Sequence, residues 1–499
     1  MNAGFAIDVA VLIGGSLLLI GVIASGLAER FRVPSLLLFL GLGMLVADEG
    51  LALIRFDDAA LAQNIAAIAL VVILFEGGLG TEPASFRRAG APAALLATVG
   101  VVVTASVVAG AAWWLIGVEP VTALLLGAVI ASTDAAAVFS ALRTERLPMR
   151  TRDILQLESG MNDPVAVLLT IGMVEVWRGD PTGWTWASFL LAQLAIGLVV
   201  GVGVGAVARS LIGRLTGAAV SSLGVITLAI AAVSYGMASA LGGSGFLAVY
   251  LTGAVIAGAR RSSRRMLHFH EGLAATAQGT LFLLLGILVF PSELIGDIGT
   301  AVVVALVLIV VARPLAVFSV LVWSRTPLRR MALISWAGLR GAVPVVLATI
   351  PSTAGHPDGA LIFDVAFVVV VLSVAVQAPT LGLVARRLAL AADTPVTVKP
   401  EIVPIEPLDA DLAEISVVDG SRVAGATLRE QPLPGGARVA VVRRADVTII
   451  PDGDLRLEDG DVLLVITPAD CPLDDLAAWS APVGVIDDPD AVGADEHGE

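Results

Sequence analysis

Thirteen apolar runs, each close to the length that crosses a bilayer, fill the first 387 residues. They fall at about 6–28, 34–53, 64–80, 92–116, 121–142, 154–177, 187–208, 218–241, 245–259, 273–291, 298–323, 331–350 and 361–385. A hydrocarbon core takes roughly 17–25 residues of helix to span, so these runs predict an all-α polytopic membrane protein with 13 transmembrane helices. Composition agrees. The chain is 57% hydrophobic and 15% charged, against about half and about a quarter in soluble domains. Such numbers argue against a soluble enzyme with one core and exclude the disordered and fibrous classes.

Arginine placement tests the count. Taking the loops in order, every second one carries arginine: Arg30/Arg32, Arg87/Arg88, Arg143/Arg146/Arg150/Arg152, Arg209/Arg214, Arg260/Arg261/Arg264/Arg265, Arg325/Arg329/Arg330 and Arg386/Arg387. The intervening loops hold only Arg55 and Arg178. Positive residues stay on the cytoplasmic side. The expected topology therefore has its N-terminus outside and its C-terminus in the cytoplasm. The first run carries Asp8 and lacks a basic leader, so it reads as a retained helix and not a signal peptide. The net charge of −14 belongs to the tail: residues 388–499 hold 7 basic and 23 acidic residues. No basic surface for nucleic acid is present. One cysteine, Cys471, and four scattered histidines offer no Cys/His metal cluster.

Ionisable residues lie inside the apolar runs, among them Glu76, Asp134, Glu158, Asp163, Arg313 and Arg340. A charge at mid-membrane costs at least about 2.5–3.5 kcal/mol, so such residues mark function by default. The bland alternative is buried pairs that only hold helices together. Span six reads Gln156-Leu-Glu158-Ser159-Gly160-Met161-Asn162-Asp163-Pro164. Glu158 and Asn162 share one helical face with Ser159 and Asp163 beside them. That oxygen-rich ridge suits a hard cation. Span five contains Ser132-Thr133-Asp134, residues that compete with the helix for backbone hydrogen bonds. Span twelve contains Gly338-Leu-Arg340-Gly341 and Pro344, which weaken a helix. Both spans are expected to be broken. They are seven apart, so spans one to six and eight to thirteen form two inverted six-helix repeats, each broken at its fifth helix. Paired breaks point to a transporter's midplane site.

At these motifs the chain resembles the monovalent cation:proton antiporters of the sodium/proton exchanger superfamily, over roughly residues 5–387. Glu158-Ser-Gly-Met-Asn162-Asp163 is similar to their E-S-x-x-N-D motif, Thr133-Asp134 to T-D-P with Ala135 in place of proline, and Gly338-Leu-Arg340-Gly341 to G-L-R-G. Leu74-Phe75-Glu76-Gly77-Gly78-Leu79 resembles their third-span motif. The variant looks most like the bacterial potassium/proton branch. The resemblance implies an antiporter of the bacterial inner membrane, working in pH homeostasis, with no cofactor and as a homodimer. Asp163 would bind either K+ (or Na+) or a proton, Thr133 and Ser159 would supply further oxygens beside Asn162, and Glu76 would contribute through water. Glu158 would be the structural acid paired with Arg340, while Asp134 and Arg313 balance the ends of the broken helices; which arginine partners Glu158 stays open. With one titrating carboxylate, exchange of one cation for one proton is electroneutral. Sodium/proton exchange is the alternative. A ligand-gated potassium channel is weaker because no T-V-G-Y-G-like filter is present. Enzyme motifs such as H-E-x-x-H and G-x-S-x-G are absent.

Behind the membrane region (1–387), residues 388–404 read as a linker and 405–480 as a small α+β cytoplasmic domain. Alternating runs at Leu412–Val418, Ala437–Arg443, Val447–Ile450 and Val462–Ile466 predict strands, and Ser421–Arg429 a short helix. This stretch resembles the TrkA-C (RCK-C) regulatory domain, which implies pairing with a second copy and a small-molecule or nucleotide regulator. Residues 481–499 read as an acidic disordered tail. His268 and His270 are expected as solvated loop residues after span nine, with pH sensing as the sharper alternative. Gly197, Gly201 and Gly205 are spaced for close helix packing.

Overall fold

The computed structural model describes residues 3–28, 35–54, 59–81, 83–142, 147–179, 184–214, 222–258, 264–324 and 326–390, and in the tail 398–399, 404–405, 410–417, 421–445, 447–468 and 473–480. The acidic segment 481–499 and several of the arginine loops lie outside these. The chain divides into two compact units, Met1–Ala392 and Asp393–Glu499.

The first unit is helical. In order come α1 (Ala3–Ala28), α2 (Ser35–Val46), α3 (Ala59–Leu79) and α4 (Pro83–Ile116). Then follow α5 (Pro120–Val129), α6 (Ala135–Ala141), α7 (Met149–Arg178) and α8 (Trp184–Arg214). Next are α9 (Leu223–Ala240), α10 (Gly245–Ala257), α11 (Arg264–Leu288) and α12 (Pro291–Ser324). Last come α13 (Leu328–Trp336), α14 (Val343–Thr353) and α15 (Gly359–Arg387). Among the described residues, seven helices are both long and apolar enough to cross a membrane, and five shorter apolar helices accompany them. α7, the motif helix, is not one of the seven. Its 30 residues reach about 45 Å at 1.5 Å per residue, but its polar ridge lowers its hydropathy.

The distribution of side chains is that of a protein in lipid. Trp323 is 86% exposed, and Val199, Val207 and Ile295 face outward, while Arg340 is only 1% exposed and Glu158, Asn162 and Asp163 are buried. Lipid offers no hydrophobic drive between helices, so close backbone approach must supply the contact. Two crossings do this. Where α2 meets α11, a Cβ on Gly43 would strike the Leu283 carbonyl, and one on Gly286 the Leu40 carbonyl. Where α3 meets α10, a Cβ on Gly78 would strike the Tyr250 carbonyl, and one on Gly253 the Phe75 carbonyl. Gly197, Gly201 and Gly205 of α8 lie against Ser244, Ala248 and Val255 beside or on α10, as their spacing predicts.

His268 and His270 are not loop residues. Both lie on α11. His268 is exposed and meets Glu271, whereas His270 is fully buried, 2.7 Å from Thr227 Oγ1 and edge-on to Phe75 and Phe269. α11 begins earlier than its apolar run suggests, and aromatic packing covers the imidazole.

The second unit holds a six-stranded antiparallel sheet of β1 (Val398–Lys399), β2 (Pro404–Ile405), β3 (Ala410–Ser416), β4 (Arg438–Arg444), β5 (Val447–Ile449) and β6 (Val462–Pro468). The path runs β1-β3-β6-β4-β5, with β2 also on β3. Ile415, Val442, Leu463 and Val465 form its core with Leu476 of α16 (Leu473–Ser480). β1 and β2 arise within or at the edge of the stretch read as linker. Ser421–Arg429 is not a helix. Gly425 takes φ +80° and donates to Leu457 O, and Thr427 bridges Arg456, so pairing with a distant segment overrides the local preference. Arg444 donates to Asp461 from Nε and Nη2, both at 2.8 Å. Burial works to raise the Asp461 pKa, but these bonds, the Glu458 amide and the Arg444 charge hold it below the ordinary carboxylate value.

Gly253→Ala should lower the melting temperature of the detergent-purified protein, since overpacking costs about 1–3 kcal/mol. Gly41→Ala, whose Cβ meets nothing within 4 Å, should leave it unchanged. Equal melting of the two variants would show that the α3–α10 crossing is loose.

Candidate functional site: two broken helices and a buried acid

The site is built where helices stop. α5 ends at Val129 and α6 begins at Ala135, and α13 ends at Trp336 with α14 beginning at Val343. Each interruption frees backbone groups that apolar surroundings cannot satisfy. The two breaks satisfy one another. Asp134 N donates to Leu339 O at 2.8 Å. Arg340 Nη1 donates to Ala131 O at 2.6 Å and also to Ser132 O. Its cation thus sits at the carbonyl end of α5, where a helix dipole favours positive charge. Asp134 is extended (φ −117°, ψ 106°), and its Oδ1 accepts from Ala137 N at 3.1 Å, capping α6 at the end that favours an anion.

Glycine makes the crossing possible. A Cβ on Gly341 would collide with the Asp134 carboxylate, and one on Gly338 would lie 2.6 Å from Arg313 Nε. Both glycines of the Gly338–Gly341 stretch are spaces for a charged neighbour.

α7 supports the first break from the side. Ser159 Oγ donates to Thr133 O at 2.7 Å and accepts from Ala135 N at 2.8 Å. Asn162 Nδ2 donates to Thr133 Oγ1 at 2.6 Å. One turn from Ser159, Asp163 is 7% exposed, and the groups facing it are Asp134, Ser132 and Arg340. Oδ1 of Asp163 and Oδ1 of Asn162 are buried without a hydrogen-bond partner. Thr133 O and Ser159 Oγ each keep a lone pair beyond the bonds described. Ser159 and Asn162 of α7 therefore both meet Thr133, and Ser132, the residue before it, faces Asp163.

The pairing of the second acid corrects the sequence reading. Glu158 takes two bonds from Arg313, Nη1 to Oε1 at 2.5 Å and Nη2 to Oε2 at 2.9 Å, while Arg340 is engaged with carbonyls. Arg313 sits on α12 just past a π turn at Leu308–Ala312, and its stem crosses Gly338 to reach α7. Arg340 is inside a break, so bare backbone is what it meets. Glu76 is not drawn to Asp163 by any described hydrogen bond. It lies on α3 near Gly80, whose carbonyl accepts from Gln156, and the charge facing it is Glu271.

Three polar residues at the site escape a search for charges. Gln278 of α11 donates to Asp134 Oδ2 at 3.2 Å, and Ser373 and Gln377 of α15 bond to the second break. The available signal is a polar pair four residues apart inside an apolar run, the spacing shared by Ser159–Asp163 and Ser373–Gln377.

Residues 15–387, which hold this crossing, match the transmembrane sodium/hydrogen exchanger family model. The chain belongs to the sodium/hydrogen exchanger family. Residues 412–470 of this exchanger match the TrkA-C domain. The exchanger is 43% identical over 390 residues to the K(+)/H(+) antiporter NhaP of Alkalimonas amylolytica, covering 77% of this chain and 68% of that protein. It is 36% identical over 468 residues to the K(+)/H(+) antiporter NhaP2 of Shewanella baltica (strain OS223), covering 91% and 80%. Its fold is similar to that of the sodium proton antiporter MjNhaP1 from Methanocaldococcus jannaschii at pH 8, with TM-score 0.66, 22% identity and coverage of 77% of this chain and 99% of that one.

Removing one partner of a buried ion pair costs about 3–5 kcal/mol because the other charge is stranded. Glu158→Gln and Arg313→Gln in this exchanger should each lower the melting temperature in detergent strongly. The double variant Glu158→Gln/Arg313→Gln should recover part of the loss. Additive losses would mean that the two groups are not coupled.

Proposed function

We propose that the protein is a secondary antiporter that exchanges a monovalent cation, K+ in preference, for H+ across the bacterial inner membrane. The observation that carries this reading is the buried Asp163 carboxyl with one oxygen open at the meeting point of two broken helices. A carboxyl in that setting takes a proton or a cation, not both. Thr133 and Ser159 supply neighbouring oxygens, and Asn162 adds a third. Glu76 acts through solvent.

Charge bookkeeping supports one-for-one exchange. Glu158 is matched by Arg313, and the two breaks contribute Asp134 and Arg340 with opposite signs. At the crossing of the two breaks, Asp163 is the acid left to be neutralised by the cargo. Loaded with either H+ or K+, the moving part carries the same charge, so exchange is electroneutral. The preference for K+ rests on the relatives named K(+)/H(+) antiporters at 36–43% identity. Sodium is the second reading, favoured by 26% identity over 392 residues to the Low-affinity Na(+)/H(+) antiporter NhaS1 of Synechocystis sp. (strain ATCC 27184 / PCC 6803 / Kazusa).

The architecture proposed is thirteen spans in two inverted repeats, with the N-terminus outside and the C-terminus in the cytoplasm. The paired glycine crossings support the repeats. A shift of seven spans exchanges α2 with α10 and α11 with α3, and so turns the Gly43–Gly286 contact into the Gly253–Gly78 contact. The packing of α4 on α7 corresponds in the same way to that of α12 on α15. The tail, whose sheet takes in β1 at Val398–Lys399, serves as a regulatory domain that binds a small-molecule or nucleotide regulator, in a homodimer.

Proton flux in proteoliposomes, with K+, Na+, Li+ or Rb+ added singly, tests the function. K+ should drive flux without dependence on an imposed membrane potential, and Asp163→Asn should abolish the response to every cation. Persistence of exchange in Asp163→Asn would end this reading. Truncation after Ala392, the boundary of the first unit, should keep exchange and alter its regulation. Loss of all flux in a well-inserted truncate would make the tail part of the transport machinery.

A further inference from the structure

An unbroken helix would pair the carbonyl of Trp336 with the amide of Arg340, four residues on. The break between α13 and α14 parts them, and two side chains of α15 stand in the gap. Arg340 N donates to Ser373 Oγ at 3.0 Å. Ser373 Oγ donates to Gln377 Oε1 at 2.6 Å. Gln377 Nε2 donates to Trp336 O at 3.0 Å. Because the Trp336 carbonyl only accepts, the amide nitrogen must face it, which turns Oε1 toward the serine and makes the hydroxyl the donor. The relay runs in one direction from N–H to C=O, replacing the lost backbone bond with three. Ser373 is 0% exposed and Gln377 1%. Over these same residues α15 opens into a π turn, Ser373–Gln377, a distortion found frequently at functional sites.

We propose that Ser373 and Gln377 are positioning residues for cation binding. They hold the second break at the width that lets Arg340 reach Ala131 O and Ser132 O while Leu339 O receives the Asp134 amide. The proposal rests on the reading of Asp163 as the shared site. α7 carries the same beginning of a device. Ser159 accepts the Ala135 amide and donates to Thr133 O across the first break, and its fourth neighbour is Asp163. On α15 the fourth neighbour is an amide with both ends engaged in closing the break. On α7 it is an acid that keeps Oδ1 open. Two breaks are braced by serine, but only one of them offers a seat for an ion.

The test uses the full chain in proteoliposomes, with the alkali cation that drives the parent protein, at equal amounts of monodisperse protein. Ser373→Ala and Gln377→Leu should each raise the half-saturating cation concentration about 10–100-fold, the range for loss of a group that orients a ligand. Ser373→Thr, which keeps the hydroxyl, should restore most of the affinity. Gln377→Glu keeps the acceptor for Ser373 but donates to Trp336 O only when protonated. Its affinity should approach the parent's at acid pH and drop further below the parent's as pH rises. Unchanged half-saturation in Ser373→Ala and Gln377→Leu, with Asp163→Asn silent, would overturn the relay and leave the antiporter reading standing. Equal loss in Ser373→Thr and Ser373→Ala, or a pH profile of Gln377→Glu that parallels Gln377→Leu, would also overturn it. Exchange surviving in Asp163→Asn would remove the basis of both.

Discussion

A peptide group without a hydrogen-bond partner cannot stay in hydrocarbon, and the whole functional centre follows from that rule. Stopping two helices among buried apolar side chains creates unpaired amides and carbonyls. Leu339 O accepts the Asp134 amide, Arg340 collects the Ala131 and Ser132 carbonyls, and Ser159 bridges Thr133 and Ala135. Each of these partners is itself part of a break or stands beside one. The crossing is therefore a polar network built from the breaks themselves, and Asp163 Oδ1 and Asn162 Oδ1 are among the oxygens it leaves without a partner. A site assembled in this way needs no separate scaffold. The groups that stabilise the broken helices also fix the positions of Thr133, Asn162 and Asp163.

Much of this is legible in the sequence because charge in an apolar run is costly and conspicuous. Asp134, Glu158, Asp163, Arg313 and Arg340 stand out, and all five meet at the crossing. The breaks between α5 and α6 and between α13 and α14 are legible for a related reason: Ser-Thr-Asp and Gly-x-Arg-Gly offer the chain alternatives to helical bonding. Pairing is harder to read. Which arginine reaches Glu158 depends on the relative height of α12 and α7 and on the notch at Gly338, neither of which is a local property. Glu76 is charged and part of a motif, and the charge that faces it is Glu271, a neighbour far away in sequence that no local pattern records. Uncharged amides such as Gln278 and Gln377 escape notice because burying them costs far less than burying an ion.

In the tail, two-residue alternation is enough to place four strands within two residues at either end. Ser421–Arg429 misleads because its strongest contacts are with Asp452–Leu457, nearly thirty residues on, and a local pattern carries no record of them. His270 misleads for a similar reason. Two histidines beside an arginine-rich loop suggest water, but the helix begins before them, and Phe75 from α3 covers one ring.

The glycine crossings have a consequence for how half of the helical unit tolerates change. α2 rests on α11, and α3 on α10, through main-chain atoms at Gly43, Gly286, Gly78 and Gly253. A joint made of main chain is indifferent to rotamers and to the identity of surrounding aliphatic residues. Val, Leu and Ile around it are free to drift, provided that four hydrogen atoms, one on each Cα, are never exchanged for carbon.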